Sequence, residues 1–397
     1  MDLAYGPKYE AFREEVRAFL TKHKDQAPRG LGAAGRPSPE ACSWQQLLIQ
    51  HGYAARTIPK DYGGYGAKPD ILESRIIAEE FSSARVPSAL QNQGISMLVP
   101  TLLELGTEEQ KKKWVKPTLR GEVVWCQGYS EPGSGSDLAS LQTKATEDGD
   151  DFVINGQKIW TSTAHEADMI FCLVRTEPDK PKHEGISYLI FSMKTPGIEV
   201  RPLTTMTGHA EFNEVFFTDV RVPKTQIVGQ RGQGWLVANA TLKYERGMLG
   251  DPAAMETRFQ ALVDLMREET VDGQRAIDNP IFRDRLIRLQ AELAAMKFNG
   301  LRLLTSASRG EDPGLARLIV KLQSCELTHQ ISALAIDVMG EFGVLYDDSP
   351  YLRSHGSWQW GYMFQLGLII GGGTAQIQKN IISERGLGMP REPKLAK

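Results

Sequence analysis

Cysteine is scarce in this chain, four residues in 397 (Cys42, Cys126, Cys172 and Cys325), far apart and never as Cys-x-x-Cys. That spacing argues against a disulfide framework and a zinc cluster and fits a reducing compartment. The seven histidines fall into no His-Glu-x-x-His or other ligand spacing, so no metal site is expected. No apolar run approaches the roughly 18 residues of a membrane helix; the Gly-Leu-Ile-Ile stretch at 367–370 is far shorter. The opening Met-Asp-Leu-Ala-Tyr-Gly-Pro has no basic-then-apolar leader, so a cytoplasmic protein is expected. Charge of one sign is missing too: 46 basic against 49 acidic side chains leave −3, with no electrostatic case for nucleic acid or an anionic membrane. A Gly-x-Ser-x-Gly elbow, a Walker loop and a Gly-x-Gly-x-x-Gly between strand and helix are all absent, which disfavours a serine hydrolase, a P-loop enzyme and a Rossmann fold. What is present is a globular composition, 41% hydrophobic and 24% charged, which excludes disorder.

The length, at roughly 150 residues per domain, predicts two to three domains, and the texture of the chain changes twice. Phe12, Val16, Phe19 and Leu20 mark one face of a helix, and Ile71, Ile76, Ile77 and Phe81 look similar. Thr107 to Gln110 has capping-box spacing and opens a helix on which Lys111, Lys112 and Lys113 spread over a solvated surface. Short β-branched or aromatic runs follow at 122–126, 152–155, 157–161, 169–175, 186–191 and 215–218, with Asn155-Gly156 read as a two-residue hairpin turn. Gly229 to Gly234 reads as a loop into the next helix. Beyond it Asn279-Pro280 starts a long helix with a buried stripe at Leu286, Leu289, Leu293 and Met296. A second long helix over about 313–339 carries Leu318, Leu322, Leu327, Leu334 and Val338. The stretch from Met389 on has two prolines in nine residues and reads as mobile. The expected fold is α+β and multidomain: an N-terminal helical domain (1–121), a middle antiparallel β-barrel or sandwich (122–230) and a C-terminal four-helix bundle (231–397).

Three motifs stand out against this background. Tyr129-Ser-Glu-Pro-Gly-Ser-Gly-Ser-Asp137 follows a strand; it reads equally as an ordinary glycine turn or as a loop bringing backbone N–H groups to a ligand. In Asn155-Gly-Gln-Lys-Ile-Trp-Thr-Ser-Thr163 a tryptophan precedes three hydroxyl residues and could wall a planar ring. Gly371-Gly-Gly-Thr374 follows an apolar helix, where glycines cost about 1 kcal/mol each in a helix interior. A helix break or a close backbone approach is the expected purpose.

Together these segments resemble the acyl-CoA dehydrogenase family. Ser130 to Asp137 matches its Thr/Ser-Glu-Pro-x-x-Gly-Ser-Asp pattern, and Asn155 to Ser162 its Asn-Gly-x-Lys-x-Trp-x-Thr/Ser. Gly372-Gly-Thr-Ala-Gln-Ile-Gln378 matches its Glu-Gly-Thr-x-x-Ile-Gln, all three in the family's order over essentially the whole chain. The resemblance implies FAD as cofactor. Ser130 would bond the flavin near N5, the backbone of Gln127 and Tyr129 would meet the ring edge, Trp160 would lie against the ring where an electron-transferring flavoprotein docks, and Ser162 would bond the N5 side. Gly373, Thr374 and Gln376 would hold the adenosine diphosphate part, completed by a partner subunit's glycine loop that Gly340 to Gly343 matches loosely. Ser136 would line the mouth of the CoA channel.

The resemblance breaks at the base, because the glutamate of Glu-Gly-Thr is Gly372 here. Isovaleryl- and long-chain-type members instead take their base from a helix just before an arginine, and Tyr244-Glu245-Arg246 matches that position, with Tyr244 and Arg246 facing substrate. Glu245 would then remove the α-proton, and the Gly372 N–H would stabilise the enolate oxygen. The family's Arg-x-x-Phe-Gly is also missing; Arg275 is the candidate for the flavin pyrophosphate, in a form like that of bacterial members acting on bulky side chains. The implied reaction is α,β-dehydrogenation of a branched, bulky or medium-to-long acyl-CoA, with electrons leaving to an electron-transferring flavoprotein, in a homodimer, homotetramer or heterotetramer. The alternatives are a flavin monooxygenase or nitroalkane-oxidase-like enzyme on the same fold, using O2, and a partner subunit that completes another chain's site.

Overall fold

The N-terminal helices begin where side chains can satisfy their first N–H groups. In the computed structural model, helix α1 (Pro7–His23) opens on a proline, whose missing N–H costs nothing there. Helix α2 (Pro39–Gln50) is capped by Ser38, and α3 (Ile71–Ser83) by Asp70, which accepts from the N–H groups of Leu72 and Glu73. A π-helical turn (Gly94–Leu98) leads into α4 (Val99–Leu105), and α5 (Glu108–Leu119) starts on the expected capping box, Thr107 and Gln110 bonding reciprocally. Val16, Phe19, Leu20, Trp44, Leu48, Ile76 and Phe81 form one buried cluster. Buried Glu80 on α3 takes hydrogen bonds from Arg13 and Arg17 of α1, which fixes the pairing of those helices. The described residues are 6–29, 36–248, 252–311, 315–346, 349–391 and 393; side chains at 245–248, 252–254, 307–308, 315 and 317 lie outside the description, as does most of the C-terminal stretch.

Eight strands follow: β1 (Trp125–Gly128), β2 (Lys144–Asp148), β3 (Asp151–Ser162), β4 (Met169–Arg175), β5 (Ile186–Ser192), β6 (Ile198–Leu203), β7 (Phe212–Pro223) and β8 (Ile227–Val228). They form one sheet in the order β6-β7-β3-β2-β4-β5-β8, antiparallel except where β1 and the first residue of β2 meet β4 in parallel. Strands β4 and β5 are buried along six successive residues each, covered on both faces, so they read as continuous apolar runs. The first strand starts at Trp125 rather than Glu122, and β2 and β6 were not legible as strands because their outward residues are polar or charged.

The hairpin expected at Asn155-Gly156 is not there. These residues lie inside β3, and the two-residue turn is Gly149-Asp150, between Asp148 and its partner Asp151. Asn155 pins a bulge on the neighbouring strand: its carboxamide accepts from the Asp219 N–H (2.9 Å) and donates to the Asp219 carboxylate (3.0 Å), where Asp219 takes φ +51°. Gly156 lies so close to the segment just before β2 that a Cβ would sit 2.7 Å from the Thr143 Cα.

Helix α6 (Gly234–Met248) follows the loop expected at 229–234. By its contacts the chain divides into two compact units, Met1–Glu245 and Arg246–Lys397. The second contains α7 (Pro252–Glu268), a two-stranded ribbon β9 (Thr270–Val271) and β10 (Gln274–Arg275), then α8 (Pro280–Ser308), α9 (Leu315–Met339), α10 (Ser357–Ile370) and α11 (Ala375–Ile381). Asn279 caps α8 as expected, and the stripe Leu286, Leu289, Leu293 and Met296 is buried against Leu327, Ile331, Leu334 and Val338 of α9. In the first half of α9 the expected stripe fails. Leu318 and Leu322 are only half-buried, while Lys321, Ser324 and Cys325 face inward.

Candidate functional site

In the first unit the candidate loop is built on β1 and pinned from beneath. Gln127 is half-buried on β1, Tyr129 is buried at its end, and the Ser130 carbonyl accepts from the Ile159 N–H at 2.9 Å. Glu131 and Ser134 exchange backbone hydrogen bonds, closing a tight turn that leaves Ser136 exposed. Under the turn lies a buried ion pair, Lys158 Nζ to Glu131 Oε1 at 2.8 Å. Lys158 also donates to the Tyr129 carbonyl (3.1 Å), and Glu131 accepts from the N–H groups of Gln142 (2.6 Å) and Thr143 (2.9 Å). Burial alone would raise the Glu131 carboxyl, but the Lys158 charge and these donors outweigh it and hold it below the usual carboxylate range. At the rim, Lys182 bonds Asp137 at 2.7 Å and lowers its carboxyl. Neither Glu131 nor Lys158 was given a role from sequence. The available signal was a lysine at an inward position of a strand, between Ile154 and Thr161.

A second bulge decides where Trp160 goes. Between Lys158 and Thr161, β3 carries one residue more than β7, and Trp160 absorbs it at φ +59°. The alternation therefore changes phase, leaving Trp160 58% exposed and Thr161 buried. The indole packs edge-on against Phe212, and half-buried Ser162 stands two residues further on. An exposed aromatic plane with hydroxyls beside it fits a flat heteroaromatic ring such as a flavin. On α6, the buried Thr241 hydroxyl meets Thr101 of α4 (3.0 Å), and the Tyr244 hydroxyl donates to Glu104 of α4 (3.0 Å), which fixes the rotation of α6. Burial and the Glu104 hydrogen bond both raise the Tyr244 phenol. Glu245 comes next on α6, one turn beyond Thr241; its side chain and that of Arg246 lie outside the described residues.

In the second unit the glycine loop behaves as its composition asks. Helix α10 ends at Ile370, Gly372 and Gly373 take φ +63° and +95°, and Thr374 caps α11 by accepting from the Ile377 N–H. A loop of this shape exposes successive N–H groups to an anion or a polarised oxygen. Gln376 is exposed, while Gln378 is buried with its amide on the Gly372 carbonyl. Gly340 and Gly343 lie in a 3-10 turn (Gly340–Val344) after α9, and a Cβ at Gly343 would be 2.4 Å from the Ile336 carbonyl oxygen. Gly343→Ala is therefore expected to cost about 1–3 kcal/mol, the usual range for overpacking, read as a lowered melting temperature. Arg275 is exposed on β10 and paired with Asp278 at 2.8 Å. Its ribbon turns at Asp272-Gly273, both at positive φ, the Asp-Gly dipeptide that favours a two-residue hairpin.

Among the described residues no cluster of His, Cys, Asp and Glu could hold a metal, and no helix is long and apolar enough to cross a membrane. Three profiles of one family match in succession: the acyl-CoA dehydrogenase N-terminal domain over 6–122, middle domain over 126–220 and C-terminal domain over 232–387. Acyl-CoA dehydrogenase IpdE1 of Mycobacterium tuberculosis is 39% identical over 97% of this chain and 99% of its own. Among solved structures, the "Tcur3481-Tcur3483 steroid ACAD" superposes with a TM-score of 0.80 at 30% identity, covering 99% of this chain and all of that one. The ChsE4-ChsE5 complex from Mycobacterium tuberculosis gives 0.79 at 30% identity over 99% of this chain. The chain belongs to the acyl-CoA dehydrogenase family and is an FAD-dependent oxidoreductase.

Proposed function

We propose that this enzyme desaturates the α,β-bond of an acyl-CoA carrying a bulky, ring-bearing acyl group, with Glu245 as the base. One observation carries the base assignment: the family's usual base position is a glycine, Gly372, held at φ +63°, where a side chain is disfavoured. Glu245 supplies the missing carboxylate. In this reading it takes the α-proton, while the Gly372 N–H donates to the thioester oxygen as enolate charge develops. Bound FAD supplies the acceptor for the β-hydride. Ser130, Trp160 and Ser162, with the backbone of Gln127 and Tyr129, would hold its ring, and Gly373, Thr374, Gln376 and the 340–343 turn its diphosphate half, with Arg275 as the candidate pyrophosphate partner. Ser136, Tyr244 and Arg246 would face the thioester substrate. Electrons would leave to an electron-transferring flavoprotein docked on the Trp160 side.

The bulky class rests on likeness to a solved steroid-acting relative and on the removal of a side chain at position 372. The test is anaerobic bleaching of the flavin by a panel of acyl-CoA thioesters. Ring-bearing and branched thioesters are expected to bleach it at least tenfold faster than straight chains of equal carbon number, since each misfitted methylene alters discrimination by about 1–3 kcal/mol. Faster bleaching by straight chains would reject the bulky class. A second reading has its own support. Both structural relatives carry two protein names, so this chain could share its site with an unlike subunit. Flavin content and bleaching that arise only after mixing with a second chain would favour that reading.

A further inference from the structure

Lysine 321 is 3% exposed, inside the second unit, on the stretch of α9 where an apolar stripe was expected. A buried ammonium costs several kcal/mol unless it is well paired. Its Nζ donates to the Gly373 carbonyl at 2.7 Å and to the Ile369 carbonyl at 3.1 Å, oxygens on either side of the Gly371-Gly372 peptide. Gln378, itself buried, donates to the Gly372 carbonyl at 3.4 Å. In a planar trans peptide the carbonyl and the N–H point in opposite directions. Drawing the carbonyls of residues 369, 372 and 373 toward Lys321 and Gln378 therefore turns the N–H groups of residues 370, 373 and 374 the other way. The Gly372 N–H lies between these anchored planes, in a loop whose glycines would otherwise leave it loose.

We infer that Lys321 is a positioning residue for the oxyanion-binding loop: its buried charge clamps the carbonyl side, so that the N–H side meets the thioester oxygen preorganised. The charge also polarises the 369–370 and 373–374 peptides it bonds, which flank the 371–372 peptide that carries the donor. This rests on the reading of the Gly372 N–H as the oxyanion donor. Ser324, buried on the next turn, donates its hydroxyl to the Lys321 backbone carbonyl at 3.3 Å.

The test uses the FAD-loaded enzyme and three variants, Lys321→Met, Lys321→Gln and Lys321→Arg. Acetoacetyl-CoA is the probe, because its enolate absorbs in the ultraviolet and its acidity reports stabilisation of an enolate oxygen. Lys321→Met is expected to raise the pH at which the bound probe ionises by about one unit, a tenfold loss. It should lower kcat about tenfold or more with KM little changed, as expected for a loosened oxyanion donor. Lys321→Arg should recover most of both and Lys321→Gln little. A Lys321→Met protein that melts earlier but keeps the probe's acidity and kcat would overturn the inference, leaving a structural lysine. Amide exchange separates the clamp from the reading beneath it. The Gly371 N–H, bonded to Gly367 at 2.7 Å, should exchange faster in Lys321→Met whatever the reaction is. Unchanged exchange there removes the clamp. Faster exchange in an enzyme whose wild type neither bleaches nor acidifies the probe removes the oxyanion reading alone. Should Lys321→Met not fold, Lys321→Gln carries both measurements.

Discussion

Glu245→Gln is expected to keep its flavin and its fold, and to lose anaerobic bleaching by acyl-CoA by about three to four orders of magnitude. Glutamine is isosteric and keeps hydrogen-bonding capacity, so what it removes is the ability to accept the α-proton; a positioned general base contributes roughly 10²–10⁴ in rate. The α-carbon of a thioester releases that proton slowly without one, and the position that serves many family members is Gly372 here. The helix that carries Glu245 is set by the Thr241–Thr101 hydroxyl pair and the Tyr244–Glu104 bond, neither of which the substitution touches. Stopped-flow reduction, with flavin content and circular dichroism as controls, reads the effect. Bleaching within tenfold of wild type would sink the base assignment. A reciprocal variant, Gly372→Glu with Glu245→Gly, moves the carboxylate to the other position and is expected to restore little, because a glutamate at φ +63° strains the loop. Full recovery would mean that the two positions are interchangeable in this enzyme.

Much of this architecture was legible because local and global signals agree. Thr107 and Gln110 form their capping box, Asn279 caps the helix opened by Pro280, and the stripe from Leu286 to Met296 is buried. The reading failed where a residue has a tertiary purpose that overrides its local habit. Asn155-Gly156 has the composition of a hairpin turn, yet Asn155 spends its carboxamide on a bulge across the sheet, 64 residues away in sequence. Trp160 would face inward in an unbroken strand, and only the extra residue beside it turns it outward. The first half of α9 looked apolar through Leu318 and Leu322, but the buried position belongs to Lys321, whose partners lie 48 and 52 residues further on. No periodicity within a window of a few turns can reveal such a partner. The family motifs pointed to the candidate site without giving its support a role, since the pairing of Lys158 with Glu131, 27 residues apart, has no local signature.

That support sets the second large effect. Glu131→Gln is expected to cost about 5 kcal/mol and Lys158→Met about 3, the two ends of the range for breaking a buried pair. The asymmetry follows from what each leaves behind. Without Lys158 the Glu131 carboxylate still accepts from the N–H groups of Gln142 and Thr143. Without the Glu131 charge the fully buried Lys158 ammonium keeps the Tyr129 carbonyl but no anion. The double variant should cost less than the sum, since it leaves no uncompensated charge, and its coupling measures the pair. Urea unfolding of the four proteins checks this, and single variants within 1 kcal/mol of wild type would contradict it. The pH dependence has a definite sign. The folded Glu131 carboxyl is held below its ordinary value, so its contribution is complete above the unfolded value of about 4.3 and is lost as pH falls through the lower folded one. Wild type should therefore lose stability below about pH 4 more steeply than Glu131→Gln, which has no carboxyl to protonate. Because the same pair holds the backbone at Tyr129 and the turn at Glu131, both single variants should also release flavin more readily than wild type, at neutral pH and before any global unfolding. A variant destabilised by several kcal/mol that still retains flavin at wild-type affinity would show that the loop is held by its own turn rather than by the charges beneath it.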